Sequence, residues 1–215
     1  MTAMPPAHGR PNPVVRTVGR TVNSAVARLP WSWRFFRRPV SRFFDSLAVG
    51  WDERAGPASA EHLAPLLAAL DHLQADPARI LDIGTGTGTA AFKLAARYPD
   101  AEVVGVDVSA KMITQAKAKV TDTSGRVRFL VADITNFEDE QRFDLIVMLN
   151  MPPFFDMVVA LLKPGGFVIH ASSYGSRTPF FTPARFLRRG FERRGLCTVT
   201  AGQAGLGTYY VARRA

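Results

Sequence analysis

In ILDIGTGTGTAAFKLA, residues 80–95, a short apolar run stops at three glycines spaced two apart, and an alanine-rich run follows. The run at 80–83 has the length and bounds of a buried parallel strand, and the alanine-rich run has those of a helix. The stretch therefore predicts strand, tight loop, helix. Glycine at 84, 86 and 88 allows positive φ and lets a ligand lie against bare backbone, while the helix N-terminus behind the loop offers free N–H groups. A chain built on this element carries its ligand at the carboxyl ends of the sheet strands.

Two cofactor classes use such a loop, and spacing separates them. The dinucleotide fingerprint Gly-x-Gly-x-x-Gly would put its third glycine where Thr89 stands. The pattern present is Asp82-x-Gly84-x-Gly86-x-Gly88. A second strand at 103–106 ends in Asp107, nineteen positions after Gly88, about the spacing at which an acid reaches a ribose. A carboxylate accepts from both ribose hydroxyls at once. The competing task of capping the next helix falls to Ser109, which directly precedes it. RVRFLVAD gives a third strand at 127–131 closed by Asp133, and DLIVMLN a fourth at 145–149. The turn in LLKPGGFVIHASS introduces a fifth.

These four pieces, in this order over about residues 59–173, resemble the class I S-adenosylmethionine-dependent methyltransferases. The resemblance implies S-adenosylmethionine as cofactor, held by Asp82, Gly84, Thr85, Gly86 and Gly88, with Asp107 on the ribose. It implies Val108, Met112, Asp133 and Ile134 at the adenine end and Asn150 at the methionine end. The expected fold is α/β: a doubly wound, mostly parallel seven-stranded sheet with helices on both faces and a C-terminal antiparallel strand pair. That pair is expected at 196–200 and 208–212, with Gly202, Gly205 and Gly207 between. The expected division is a disordered tail at 1–13, a basic aromatic arm or lid at 14–56, and the methyltransferase domain at 57–215.

A methyl on a positively charged sulfur is already activated, so alignment and exclusion of water are what such an enzyme supplies. A hydroxyl acceptor also gains from a base. His170 and Tyr174, at the end of the fifth strand, and Asp156 are the candidates. Asn150-Met151-Pro152-Pro153-Phe154 is a near miss to the Asn-Pro-Pro-Tyr motif of amine-directed methyltransferases, because Met151 displaces the asparagine by one position. Pro153 instead suits the opening of a short helix at 154–162. Specificity falls to the arm, to the turn at 151–155 and to the loop at 172–183. There Phe154, Phe180 and Phe181 offer an apolar wall, or pack the arm, and Arg177 suits an anionic group. The acceptor expected is a small lipophilic or aromatic molecule. Rivals are an aminopropyl transferase, a nicotinamide enzyme, and a non-catalytic cofactor-binding or RNA-binding module.

Charge is unevenly placed. Residues 1–44 hold eight arginines and no acid, residues 45–176 eleven basic and seventeen acidic side chains, and residues 177–215 eight arginines and one glutamate. An acidic body with basic ends suits an anionic partner, although arginine also outnumbers lysine 22 to 5 throughout. In WSWRFFRRPVSRFF, at 31–44, six aromatics are interleaved with four arginines, a composition that covers an apolar cleft, meets a membrane surface or stacks on bases. The cleft is the favoured reading and membrane contact is second, followed by a plain packing arm and last by nucleic acid. Residues 57–73 carry Leu63, Leu66, Leu67 and Leu70 at helical spacing, with His62 and His72 as surface or packing residues. No apolar run approaches the roughly 20 residues of a spanning helix, and a cytoplasmic location is expected. The single cysteine, Cys197, offers neither disulfide nor metal cluster and is expected in the core; no metal site is expected.

Overall fold

Along each apolar run, alternate residues leave on opposite sides, so five short segments can be buried on both faces at once only as inner strands between layers of helices. The computed structural model describes residues 13–55, 60–121 and 125–215. In chain order the elements are α1 (Pro13–Arg28), α2 (Trp33–Leu47), α3 (Trp51–Ala55), α4 (Ala60–Leu70), β1 (Arg79–Ile83), α5 (Thr89–Arg97), β2 (Glu102–Asp107) and α6 (Ala110–Ala118). They continue as β3 (Val127–Val131), β4 (Phe143–Leu149), α7 (Phe155–Leu161), β5 (Leu162–Ser172), α8 (Ala184–Glu192), β6 (Leu196–Ala204) and β7 (Gly207–Arg214).

The seven strands form one sheet in the order β3-β2-β1-β4-β5-β7-β6. The first five are parallel, β7 runs antiparallel to β5, and β6 runs antiparallel to β7. Leu81, Ile83, Val104, Ile146 and Val168 meet α7, α8 and the inner sides of α1 and α2, while Ile80, Val103, Leu145 and Ile169 meet α4, α5 and α6. Leu66 and Leu94 are fully buried, each contributing about 1.5–3 kcal/mol relative to an exposed side chain. The order reverses direction between β1 and β4, which opens a crevice above the end of β1. The glycine loop lies there.

Some boundaries differ from those expected. Of the tail at 1–13, only Pro13 lies within the described residues, as the first residue of α1. The helix expected over 57–73 is described from Ala60 to Leu70, and positions 56–59 lie outside the described residues. The Lys-Pro-Gly-Gly turn bulges out of β5 instead of preceding it: Phe143 pairs with Leu162, but Leu145 pairs with Phe167. Helix α7 starts at Phe155 with Phe154 as its cap, one residue later than expected. Cys197 is exposed, a correction to its expected burial. It occupies edge strand β6, where alternation turns Leu196 inward and Cys197 outward.

Candidate functional site

The end of β1 enters the crevice through Gly84, Gly86 and Gly88, at φ of 73°, 55° and 84°. At Gly88 the requirement is double, because a Cβ there would also lie 2.7 Å from the Phe129 ring. At Gly86 a Cβ would meet nothing within 4 Å, so this part of the backbone faces open space. Most of the loop's N–H groups are not free, contrary to the simplest expectation. Gly84 and Thr85 donate to the Val106 carbonyl (2.9 and 3.1 Å), Gly88 donates to that of Thr85 (2.9 Å), and Gly86 donates to the Asp107 carboxylate (2.9 Å). The loop is held rigid by the neighbouring strand.

Asp107 closes β2 and accepts from Gly86 N–H with one oxygen and from Ser109 N–H (2.8 Å) with the other. A carboxylate has about four acceptor sites, which leaves each oxygen one more. Burial raises the Asp107 pKa, and the charge of Asp45 adds to the rise. Asp82, only 1 % exposed, accepts the Thr85 hydroxyl at 2.7 Å. Burial pushes it up to about 6, with the Asp107 charge adding. Ser109 caps α6 by accepting from Met112 N–H at 3.2 Å.

The N-terminal arm covers this cradle. Ser41 Oγ of α2 donates to the Val108 carbonyl (3.0 Å), and Asp45 accepts from Ser109 Oγ (2.6 Å) and Lys111 N–H (3.1 Å) at the start of α6. Asp52 of α3 accepts from Thr87 Oγ1 of the glycine loop (2.6 Å) and pairs with Lys119 (2.8 Å). Between arm and sheet lies a cavity. Trp33, Val40, Phe44, Trp51, Met151 and Phe154 give its apolar walls, and Asp82, Asp107, His62 and the loop backbone give its polar groups. Phe44 meets Trp51 edge-on at 6.0 Å, and Trp33 meets Phe154 likewise at 5.4 Å.

Of the candidates for the cofactor, Asp82, Gly84, Thr85, Gly86, Asp107, Val108, Met112, Ile134 and Asn150 line the cavity. Gly88 shapes the loop behind it. Asp133 is turned away, which corrects its expected place. Its carboxylate accepts from Trp33 Nε1 (2.8 Å), from Thr135 N–H and Oγ1, and pairs with Arg37 (3.1 Å). Burial works to raise the Asp133 pKa, but these donors win and hold it below the usual range. Asn150 is the one described non-glycine residue at positive φ, 59°. Its amide is spent on Ser173, donating to Oγ and accepting from N–H, both at 2.8 Å.

The three candidate bases fall outside the cavity lining. His170 is 2 % exposed and sits two residues inside the end of β5, with Nε2 donating to the Met151 carbonyl at 2.9 Å. Burial takes its pKa down to about 4, so it is neutral. Tyr174 stands one layer back, edge-on to His62 at 6.1 Å, with burial raising its phenol and the Glu61 charge adding. Asp156 is tied to Arg194 on the surface at 2.7 Å. Phe180 packs on the core and the Phe181 carbonyl receives Asn23 Nδ2 (3.0 Å), so that loop anchors α1. Arg177 is exposed. The residue missed from sequence is His62, whose ring lines the cavity and whose pKa burial lowers to about 4. Its place at the start of a leucine-striped helix gave no sign of this.

A family model described as a methyltransferase domain matches residues 80–166, from the middle of β1 into β5. A malonyl-[acyl-carrier protein] O-methyltransferase of Ilyobacter polytropus is 29% identical over 151 residues, covering 67% of this chain and 57% of the relative. Residues 80–166 thus carry a methyltransferase domain, and relatives and fold support the class I S-adenosylmethionine-dependent family. A ubiquinone/menaquinone biosynthesis C-methyltransferase of Syntrophotalea carbinolica is 49% identical over 109 residues, 46% of each chain. A trans-aconitate 2-methyltransferase of Streptomyces avermitilis is 38% identical over 124 residues, 54% of this chain and 44% of the relative. The methyltransferase domain thus sits in a chain that spans about half the length of the curated relatives it matches. The solved plantazolicin methyltransferase BpumL, in complex with a monoazolic desmethylPZN analog and S-adenosylhomocysteine, shares the fold over 94% of this chain and 100% of its own, with a TM-score of 0.59 at 15% identity. The N-methyltransferase NodS with S-adenosylhomocysteine covers 69% of this chain and 83% of its own, at TM-score 0.56 and 22% identity. Both solved structures hold S-adenosylhomocysteine, and with the domain match they support S-adenosylmethionine as the cofactor here. The site suits its charge, since the buried Asp82 and the half-buried Asp107, both with raised pKa values, share a cavity whose side walls are largely apolar. A ligand carrying fixed positive charge relieves both.

Proposed function

We propose that this chain is a cytoplasmic methyltransferase that passes the methyl of S-adenosylmethionine to a small, uncharged, lipophilic or aromatic acceptor, with residues 57–215 as the catalytic domain and 14–56 as its lid. The observation that carries the reading is the lining of the cavity. Trp33, Phe44, Trp51 and Phe154 line it together with Asp82 and Asp107, and no arginine or lysine lines it among the described residues. Two of the relatives are named for acids, malonyl-[acyl-carrier protein] and trans-aconitate, and one for ubiquinone and menaquinone biosynthesis. An acid would meet two carboxylates here and no counter-charge, whereas an uncharged ring would meet aromatic walls.

When bound, the cofactor supplies a methyl on a sulfonium sulfur. In this reading Asp107 accepts the ribose hydroxyls, Val108, Met112 and Ile134 enclose the adenine, and Asp82 and the glycine loop hold the amino-acid end. The arm excludes water, which keeps the reacting charges unscreened, and its aromatics fix the acceptor's angle of approach. A hydroxyl acceptor that must lose a proton finds His62, a neutral imidazole, in the lining. The reading needs no nucleic-acid partner.

Isotope-labelled cofactor incubated with cell extract, followed by mass spectrometry, tests the reading, which predicts label on a small apolar compound. Label on a polar acid would overturn the acceptor class. Tight S-adenosylhomocysteine binding with no labelled product, together with RNA retention that falls steeply between two salt concentrations, would establish the binding-module alternative.

A further inference from the structure

Helix α2 has a second face that the cavity does not use. Trp33, Val40 and Phe44 point to the cavity, while Phe35, Pro39 and Phe43 form an outward row at intervals of four, prolonged by Trp31 just before the helix. Trp31 is 59% exposed, Phe35 58% and Phe43 44%. Beside that row runs a second, Arg34, Arg38 and Arg42, also at intervals of four and also exposed. At 1.5 Å per residue the apolar row extends for about 18 Å and the basic row for about 12 Å. Among the described residues no carboxylate pairs with these three arginines. Arg38 and Arg42 flank an open hollow whose far side is Val131, itself 55% exposed.

We propose that this outer face of α2 docks on the surface of an anionic phospholipid bilayer, with Trp31, Phe35 and Phe43 entering the headgroup boundary and Arg34, Arg38 and Arg42 meeting lipid phosphates. An apolar row alone would suit many partners, and a basic row alone would suit any polyanion. Their parallel placement on one exposed helix face matches an interface that is apolar on one side and anionic on the other. Arg34 already lies over the rings of Trp31 (5.6 Å) and Phe35 (4.7 Å). That geometry keeps the guanidinium at the phosphate level while the rings sink, and it covers the ring faces that nucleobases would need for stacking. The inner face of the same helix roofs the cavity, so, on the acceptor reading above, a lipophilic acceptor would reach the site from the surface on which the protein rests. The docking itself requires neither cofactor nor acceptor.

Flotation of the full chain with phosphatidylcholine vesicles, with and without phosphatidylglycerol, tests docking apart from methyl transfer. Binding is expected only to the anionic vesicles. It should weaken about 25-fold in the double variant Arg38→Ala/Arg42→Ala, at about fivefold per arginine, and at least tenfold in Phe35→Ser/Phe43→Ser. Tryptophan emission should shift to the blue with anionic vesicles, and Trp31→Phe should abolish the shift although Trp33 and Trp51 remain. That single variant tests the contact even if a double variant fails to fold. Equal binding to neutral and anionic vesicles, no binding to either, binding unaltered in both double variants, or retention by RNA without any by vesicles would each overturn the proposal.

Discussion

Replacing Asp82 by Asn tests the idea that the cofactor cradle is electrostatically strained without a positively charged ligand. The folded carboxyl, pushed to about 6 from 3.8 mainly by burial, ionises about two units later than in the unfolded chain, a differential of about 3 kcal/mol. Because the folded state binds the extra proton, stability from this group is present at low pH and is lost as pH rises through 6. About 2 kcal/mol of the loss falls between pH 4.5 and 8. The two histidines with pKa lowered to about 4, His62 and His170, act in the opposite sense, adding stability as pH rises from 4 to 6.5. The total curve of the wild type is therefore uninformative, and the quantity to measure is wild type minus Asp82→Asn. Urea unfolding of the ligand-free protein at several pH values gives it. The hydrogen bond from Thr85 already enters that pKa, which it lowers, and the contact that replaces it in the variant adds an offset that does not depend on pH. The expected difference moves by about 2 kcal/mol in favour of the variant from pH 4.5 to 8, while S-adenosylmethionine binding weakens. A difference constant across that range would refute the reasoning, since Asp82 would then titrate as though exposed.

Asp107→Ala should weaken S-adenosylhomocysteine binding by 1–3 kcal/mol, about 5–150-fold, and unchanged affinity in calorimetry would remove Asp107 from the ribose. Gly88→Ala forces a left-handed alanine against Phe129 and should cost about 1–2 kcal/mol for the backbone alone, lowering Tm by about 2–4 °C for each kcal/mol. Trp33→Phe keeps the edge-on contact with Phe154 but deletes the bond to Asp133. Proteolysis within the arm should then accelerate at unchanged global Tm; an equal rate would show that the bond does not hold the arm. His170→Gln should leave the pH profile of methyl transfer unmoved, because its ring faces the Met151 carbonyl and not the cavity.

The sheet and the cradle were legible because their signals are local. A strand needs only alternation over five or six residues, and Asp107 needs only to end β2 beside a loop ending β1. The β1–β2 register, Ile83 beside Val106, then brings Asp107 to Gly86. Asp133 followed the same rule and failed, because Trp33, a hundred residues earlier, reaches it first. Nothing near Asp133 marks that competitor. His170 shows a related limit: alternation assigns a face, but not whether a residue stands at the rim of a strand or two positions below it. His62 was passed over because helical periodicity reports which side of α4 is buried and not what else opens onto that side. Cys197 was misplaced because an apolar neighbourhood reads alike on a central and an edge strand.

The arm is tacked to the cradle at widely separated points: Trp33 and Arg37 on Asp133, Asp45 on the head of α6, Asp52 on Thr87. Any molecule as large as the spent cofactor must wait for several of these fastenings to let go together. On the proposed activity, opening rather than bond-making is therefore the step expected to be slow. A burst of first product followed by a lower steady rate is the kinetic trace such a door leaves behind.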